Sequence, residues 1–170
     1  APTITSGAVA TPINENSGAG QVIYTASSTD SGDTATGSTS YSLSGADAGL
    51  FSIDASTGAV TLLANPNYEA KASYSFNVTA TDAAGNASSQ AVTLAITNLD
   101  EVAPTLTSGG VAAAINENSG ANQVIYTATS TDSGDTSTGS TSYSLSGADA
   151  SLFSINASSG AFTLLANPNF

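Results

Sequence analysis

The sequence contains no cysteine, histidine, methionine or tryptophan, and one basic side chain, Lys71, in 170 residues. Each absence removes a class of chemistry. Without cysteine there is no disulfide framework and no thiolate nucleophile. Without imidazole or thiolate, zinc, copper and iron lack their preferred ligands. Hard, oxygen-seeking cations remain, calcium above all. Without histidine there is no Ser-His or Cys-His nucleophile, and the many Ser and Thr read as the polar faces of strands. One cation against 13 Asp and Glu leaves a net charge of −12, the wrong sign for nucleic acid or an anionic membrane surface. The acids cannot be neutralised by internal salt bridges, so a divalent cation from solution suits them. No basic segment followed by an apolar run opens the chain, and no apolar run approaches ~20 residues, so neither a signal peptide nor a direct membrane insertion is expected within it.

What is there is repetition. "APTITSG" at Ala1 returns as "APTLTSG" at Ala103, "INENSGAGQVIYTA" at Ile13 as "INENSGANQVIYTA" at Ile115, and "STSYSLSGADAGLFSI" at Ser38 as "STSYSLSGADASLFSI" at Ser140, each 102 positions later. That period is too long for a solenoid unit and fits whole domains joined end to end. The second copy stops at "LLANPNF", where Phe170 matches Tyr68 of the first.

Within one period the apolar pattern alternates. Tyr74, Phe76, Val78 and Ala80 of "YSFNVTATD" fall on one face, and Val92, Leu94 and Ile96 of "AVTLAIT" repeat the pattern, which marks half-buried strands. "QVIYTA", "TSYSLSG", "LFSI" and "AVTLL" read as further short strands between turn clusters such as "DSGD", "SGAD", "DASTG" and "DAAGN". About seven strands in roughly 100 residues is the pattern of an immunoglobulin-like sandwich. Its core is expected to rest on aliphatics with Phe51, Phe76, Tyr24 and Tyr74.

The order "INENSG", "TASSTDSGD", "YSLSGADAGLFSIDASTGAVTLL", "NYEAKASYSFNVTATDAAGN", "TNLDEVAP" resembles a cadherin-type repeat, and more closely the tandem cadherin-like repeats of large bacterial surface adhesins. The resemblance implies an all-β fold of tandem immunoglobulin/cadherin-like Greek-key sandwiches. Residues 1–102 are the first domain, with a linker at 97–104, and residues 103–170 are a second, incomplete copy. It also implies calcium between consecutive domains. Carried over residue by residue, the ligands are Glu15 of "NENS", Glu69 of "NYE" (with Asn67 where the family has Asp), and Asn98, Asp100 and Glu101 of the linker. Asp132 and Asp135 of the next "TDSGD" follow, spaced by two residues where the family commonly has one. Asp30 and Asp33 occupy the matching motif of the first copy, with the capping of a local turn as the equal alternative for both, Asp82 lies in "ATDAAGN", and Glu117 is the second copy's counterpart of Glu15.

The physics points the same way without the family. Carboxylates about 5 Å apart repel by roughly 3 kcal/mol per pair at an effective dielectric of ~20, so converging acids splay a junction unless a cation bridges them. Calcium accepts six to eight oxygens, which carboxylates, Asn amides and a linker carbonyl such as that of Leu99 can supply. Asp47, Asp54 and Asp149 are expected instead to hold turns, where Asp bonds local backbone. No carboxyl sits in an apolar, aromatic setting that suits glycoside hydrolysis, "SGAG" lacks the Lys and helix of a phosphate loop, and the sequons at Asn77, Asn86 and Asn156 are expected by chance in so Ser-rich a chain.

The expectation is a non-enzymatic, calcium-stiffened spacer of a bacterial surface adhesin, extracellular at the cell surface. Its partners are neighbouring repeats and other copies of itself. The alternative is a repeat that itself binds, homophilically or to carbohydrate, or that assembles into an extracellular filament or sheath. The second copy lacks counterparts of "YSFNVTATD" and "QAVTLAITN", which predicts an uncovered core unless chain beyond Phe170 or another molecule fills it.

Overall fold

A computed structural model describes residues 1–31, 37–133 and 140–169. The chain divides into two compact units, Ala1–Asn98 and Leu99–Phe170.

In the first unit a short strand β1 (Thr3–Ile4) pairs antiparallel with β4 (Ser28–Thr29). Two larger sheets form the sandwich. One runs in the order β2-β9-β8-β5, with β2 at Ile13–Asn14, β5 at Ser40–Ser44, β8 at Ser73–Thr81 and β9 at Ala87–Thr97. The other runs β3-β7-β6, with β3 at Gln21–Thr25, β6 at Phe51–Ile53 and β7 at Ala59–Leu62. The only helical turn here, among the described residues, is a 3-10 turn at Ala48–Leu50, and no described helix is long and apolar enough to cross a membrane.

Alternation in the sequence becomes alternation in burial. Tyr74, Phe76, Val78 and Ala80 of β8 and Val92, Leu94 and Ile96 of β9 point into the core, facing Ile23, Tyr24, Phe51, Val60 and Leu62 of the other sheet. Each large apolar side chain buried this way contributes roughly 1.5–3 kcal/mol. The four expected aromatics form one cluster: Phe76 lies 4.7 Å from Phe51 and 6.2 Å from Tyr24, and Phe51 lies 5.6 Å from Tyr74, centroid to centroid. The latter two contacts are edge-to-face, the geometry that aromatic quadrupoles favour. Strand β3 breaks strict alternation because the β3–β7 register shifts between Val22 and Tyr24. The bulge turns the consecutive Ile23 and Tyr24 both inward. The Tyr24 hydroxyl, reaching the edge of the core, donates to Ser6 Oγ or Gly7 O, each at 2.7 Å.

In the second unit β10 (Thr105–Leu106) pairs with β12 (Ser130–Thr131), and β11 (Gln123–Thr127), β14 (Ala161–Leu164) and β13 (Phe153–Ile155) form a three-stranded sheet in that order. These repeat β1–β4 and β3-β7-β6 with the same registers and the same bulge, between Val124 and Tyr126. The segments identical in sequence to β2 and β5, at Ile115 and Asn116 and at residues 142–146, carry no strand here. In the first unit those segments are strands because β9 and β8 lie beside them. The ladder partner, not the local sequence, makes the strand.

Turns close the strands with the expected residues. Gly58 ends the β6–β7 turn at φ 72°, where an added Cβ would lie 2.5 Å from the carbonyl oxygen of Ala26. Gly49 has no heavy atom within 4 Å of that position, and the second copy carries Ser151 there. Gly58→Ala should therefore destabilise the first unit by at least about 2 kcal/mol, from left-handed strain plus the clash, while Gly49→Ala stays within about 0.5 kcal/mol. Thermal unfolding of the two variants checks this, and equal midpoints would refute it.

Candidate metal centre

The clearest convergence of chemistry lies at the end of the first unit where β9 finishes. The chain leaves β2 through a tight turn: the Glu15 amide donates to Thr97 O at 3.1 Å, and Asn16, in the left-handed region at φ 54°, donates its amide to Pro66 O at 2.9 Å. Asn65 locks the same turn, its Oδ1 accepting the Gly18 amide at 2.8 Å and its Nδ2 donating to Asn16 Oδ1 at 3.3 Å. These bonds drive the Glu15 side chain inward to 0% exposure. There its Oε2 accepts the Tyr68 amide at 2.9 Å.

Two further acids meet it. Glu69, in the turn before β8, and Glu101, in the segment that leaves β9, bring a carboxylate oxygen each to Glu15 so that all three lie within 4.8 Å of one another. At that separation each pair repels by between about 1 kcal/mol in water and about 3.5 kcal/mol at an effective dielectric of ~20. A fully buried carboxylate adds its own desolvation cost. Three anionic oxygen donors at this spacing match a hard divalent cation such as calcium, whose ligands stand about 2.4 Å from it. Asn67 Oδ1 accepts the Ala70 amide at 2.6 Å and shapes the turn that presents Glu69.

Asn98 is half-buried and Asp100 exposed in the same segment as Glu101, and Asp100 is not among the three converging acids. Asp30 and Asp82 stand together at the other end of the first unit, each with a carboxylate oxygen 4.0 Å from the α-amine of Ala1. The length of β9, at about 3.3 Å per residue, separates them from Glu15. Asp82 also holds its own turn, accepting the Ala84 and Asn86 amides and the Asn86 side-chain amide at 2.8–2.9 Å. Asp132 is half-buried just after β12, and Glu117 is exposed in the second copy's counterpart of the Glu15 turn. Asp33 and Asp135 lie outside the described residues.

Of the three acids expected to bond local backbone, Asp54 does so, whereas Asp47 and Asp149 make no side-chain bond to the 3-10 turns they precede. Asp54 Oδ1 accepts the Ser56 and Thr57 amides at 2.9 and 2.8 Å. Its counterpart Asn156 does the same with Ser158 and Ser159, both at 3.0 Å, so this turn needs an oxygen and not a charge. Asp47 accepts the Ser75 amide at 2.8 Å and pairs with Lys71 at 3.1 Å, a partly exposed ion pair worth at most about 1 kcal/mol. Asp149 makes no side-chain bond to its own 3-10 turn, Ala150–Leu152. Asn65 was the functional side chain that sequence reasoning missed; its signal was the recurrence of "LLANPN", and Asn167 Oδ1 accepts the Gly120 amide at 2.7 Å in the same way.

The cadherin domain family matches residues 10–97, just over half of the chain. Solved structures with a similar fold include mouse cadherin-23 EC22-24, at 24% identity and TM-score 0.63 over 98% of this chain and 54% of that one. Human protocadherin-24 EC1-2 is similar at 19% identity and TM-score 0.68, over 99% of this chain and 78% of that one. Drosophila N-cadherin EC1-4 is similar at 24% identity and TM-score 0.65, over 99% and 41% respectively. At these identities the likeness is one of fold. The chain spans about half the length of the mouse fragment. Among curated protein sequences, none matches it.

Three turn acids have depressed pKa values: Asp82 chiefly through the Asn86 side chain, Asp54 through the Thr57 and Ser56 amides, and Asp47 through the Ser75 amide. Since the folded state holds these groups ionised more strongly than the unfolded chain does, their contribution is complete above the unfolded value near pH 4. It is lost as pH falls through the lower folded values. Asp54→Asn, which copies Asn156, should remove part of this dependence. In chelator, the wild type should lose more thermal stability than the variant between pH 5 and pH 2.5; parallel curves would rule out the Asp54 contribution.

Proposed function

This chain belongs to the cadherin domain family, a family of extracellular, adhesion-related repeats, and on that premise we propose that it is a calcium-rigidified spacer repeat of a bacterial surface adhesin. The observation that carries this reading is the fully buried Glu15 carboxylate meeting Glu69 and Glu101 within 4.8 Å. A calcium ion held by these three neutralises their repulsion. It also ties the segment after β9 to the turn after β2, so the direction in which the chain leaves the first unit becomes fixed instead of free. Asn98, Asp100, the Leu99 carbonyl, Asp132 and Asp135 are the further oxygens proposed to complete the shell. Asp30, Asp33 and Asp82 are proposed to supply the corresponding oxygens at the opposite end of the first unit, and Glu117 begins the next such set. Near-identity of the two copies suits a spacer, whose task is length and stiffness.

With a dissociation constant of ~0.1 mM, of the order of weak extracellular sites, ~1 mM calcium stabilises by about 1.4 kcal/mol through mass action, several degrees in the unfolding midpoint of a domain this size. Glu69→Gln and Glu101→Gln should abolish most of that shift, yet in chelator should unfold at or slightly above the wild-type temperature, because one of three like charges is gone. Asp54→Asn should keep the full calcium response. A calcium shift that survives both Glu substitutions would overturn the site.

Small-angle scattering tests the mechanical part of the reading. A protein spanning two complete repeats should give an extended, narrow ensemble in millimolar calcium and a broader one after chelation. Identical profiles in both conditions would remove the spacer mechanism even if calcium binds.

A further inference from the structure

Glu15 and Glu69 come from two separate turns, and a cation held by both needs those turns fixed against one another. Each turn is braced within itself. In the first, the Ser17 hydroxyl donates to Asn14 O at 2.5 Å, and Gln21 Nε2 donates to Ser17 Oγ and to Gly18 O, each at 2.7 Å. In the second, Asn67 Oδ1 accepts the Ala70 amide at 2.6 Å, and Asn67 O accepts the Lys71 amide at 3.0 Å. A displacement at any point of either turn is therefore passed on to its glutamate.

Asn65 spans the gap between the two turns, beside the backbone bond from Asn16 to Pro66. Its side chain is exposed, yet its base is rigid. Pro66 follows it, which confines the Asn65 backbone to extended conformations, and the Pro66 ring is fully buried. From that base Oδ1 accepts the Gly18 amide at 2.8 Å and Nδ2 donates to Asn16 Oδ1 at 3.3 Å. A backbone amide can only donate, which fixes the orientation of the Asn65 side chain. One side chain thus grips the residues on either side of Ser17, directly after Glu15. The same clasp recurs in the second unit: Asn167 Oδ1 accepts the Gly120 amide at 2.7 Å, and Gln123 Nε2 donates to Ser119 Oγ and Gly120 O at 2.9 and 2.6 Å. It recurs although the two loops differ within it, at Gly20 and Asn122, both of which hold a positive φ.

We propose that Asn65 is a positioning residue for the cation held by Glu15, Glu69 and Glu101, a proposal that rests on the calcium reading above. The clasp orders the two turns before a cation arrives, so binding does not have to supply that order. Residues that act on a metal through its ligands ordinarily change affinity by about 10–100-fold. Folding should depend on Asn65 far less. Asn65 and Gly18 are both exposed, so water satisfies the groups that an alanine would leave.

The test is calorimetric titration of the full chain with calcium alone, beside thermal unfolding in chelator. Asn65→Ala should weaken calcium binding by at least about ten-fold, while its unfolding midpoint in chelator stays close to that of the wild type. Asn65→Asp keeps an oxygen for the Gly18 amide, and the Asn16 side chain can turn its own Nδ2 towards the other oxygen, so this variant should regain most of the lost affinity. Gly58 lies past the opposite end of β3, where Ala59 pairs with Thr25 and not Leu62 with Gln21; Gly58→Ala should lower the midpoint and leave the affinity unchanged. Wild-type affinity in Asn65→Ala, an Asn65→Asp chain that binds no better than Asn65→Ala, or an equal loss in Gly58→Ala would overturn the positioning role. If the wild type itself takes up no calcium, the calcium reading falls, and exchange of the Tyr68 amide in chelator still decides what Asn65 does. That amide is bonded to Glu15 Oε2; it should exchange faster in Asn65→Ala, and unchanged exchange would overturn the clasp.

Discussion

The pairing of β8 with β9 is the constraint on which the first unit depends. Nine residues of β8, Ser73 to Thr81, pair one for one with β9, and both neighbours of this hairpin are strands because it is there. It supplies Phe76, Val78, Val92 and Leu94, each 2% exposed or less, to the core. It also fixes the chemistry at the end of the unit, since Glu15 is positioned by its amide bond to Thr97, the last residue of β9. The second unit serves as an internal control. Its segments at 115–116 and 142–146 repeat the residues of β2 and β5 letter for letter, and without a hairpin beside them they carry no strand. The half-buried state of Tyr126 and Phe153 follows from the same cause.

Electrostatics set the second constraint. With one Lys to offset 13 acids, each carboxylate must be solvated, bonded to backbone or shared with a cation. The turn acids use backbone: Asp54 accepts two amides, and Asp82 accepts two together with a side-chain amide. Glu15 accepts the Tyr68 amide as well, but it is fully buried and faces two other carboxylates. Burial raises the cost of its charge, and proximity raises the cost of its neighbours' charges. A divalent cation relieves both terms at once, which a backbone amide cannot do.

Much of this was legible in the sequence, for a physical reason. Alternation survives translation from letters to burial because side chains on a strand face opposite sides, so the faces of β8 and β9 and the four core aromatics could be read directly. The Glu15–Glu69 convergence was legible only through the resemblance of "NENS" and "NYE" to a family pattern, since 53 positions of chain separate the Glu15 carboxylate from the Tyr68 amide it accepts. Other features were not legible. The inward turn of both Ile23 and Tyr24 comes from a bulge set by the β3–β7 register. The separation of Asp82 from Glu15 comes from the length of β9, and Asn65 acts through a bond to Gly18 that no local pattern announces.

The paired copies sort the charges by what each position demands. Where an acid serves only as an oxygen acceptor, an amide replaces it without altering the turn: Asp54 in one copy and Asn156 in the other accept the same two amides at 2.8–3.0 Å. Where charge itself is useful, an amide cannot substitute so cheaply, because a neutral oxygen gives a divalent cation far less of the attraction that repays its dehydration. Glu15 and Glu117 occupy turns shaped by the same Asn and Pro contacts: Asn65 with Pro66 in one unit, Asn167 with Pro168 in the other. The scaffold of the turn is complete in both units. The turn is therefore built by its own hydrogen bonds before any cation is considered. A cation held by the three carboxylates would act on their mutual repulsion and leave the turn's own hydrogen bonds as they are.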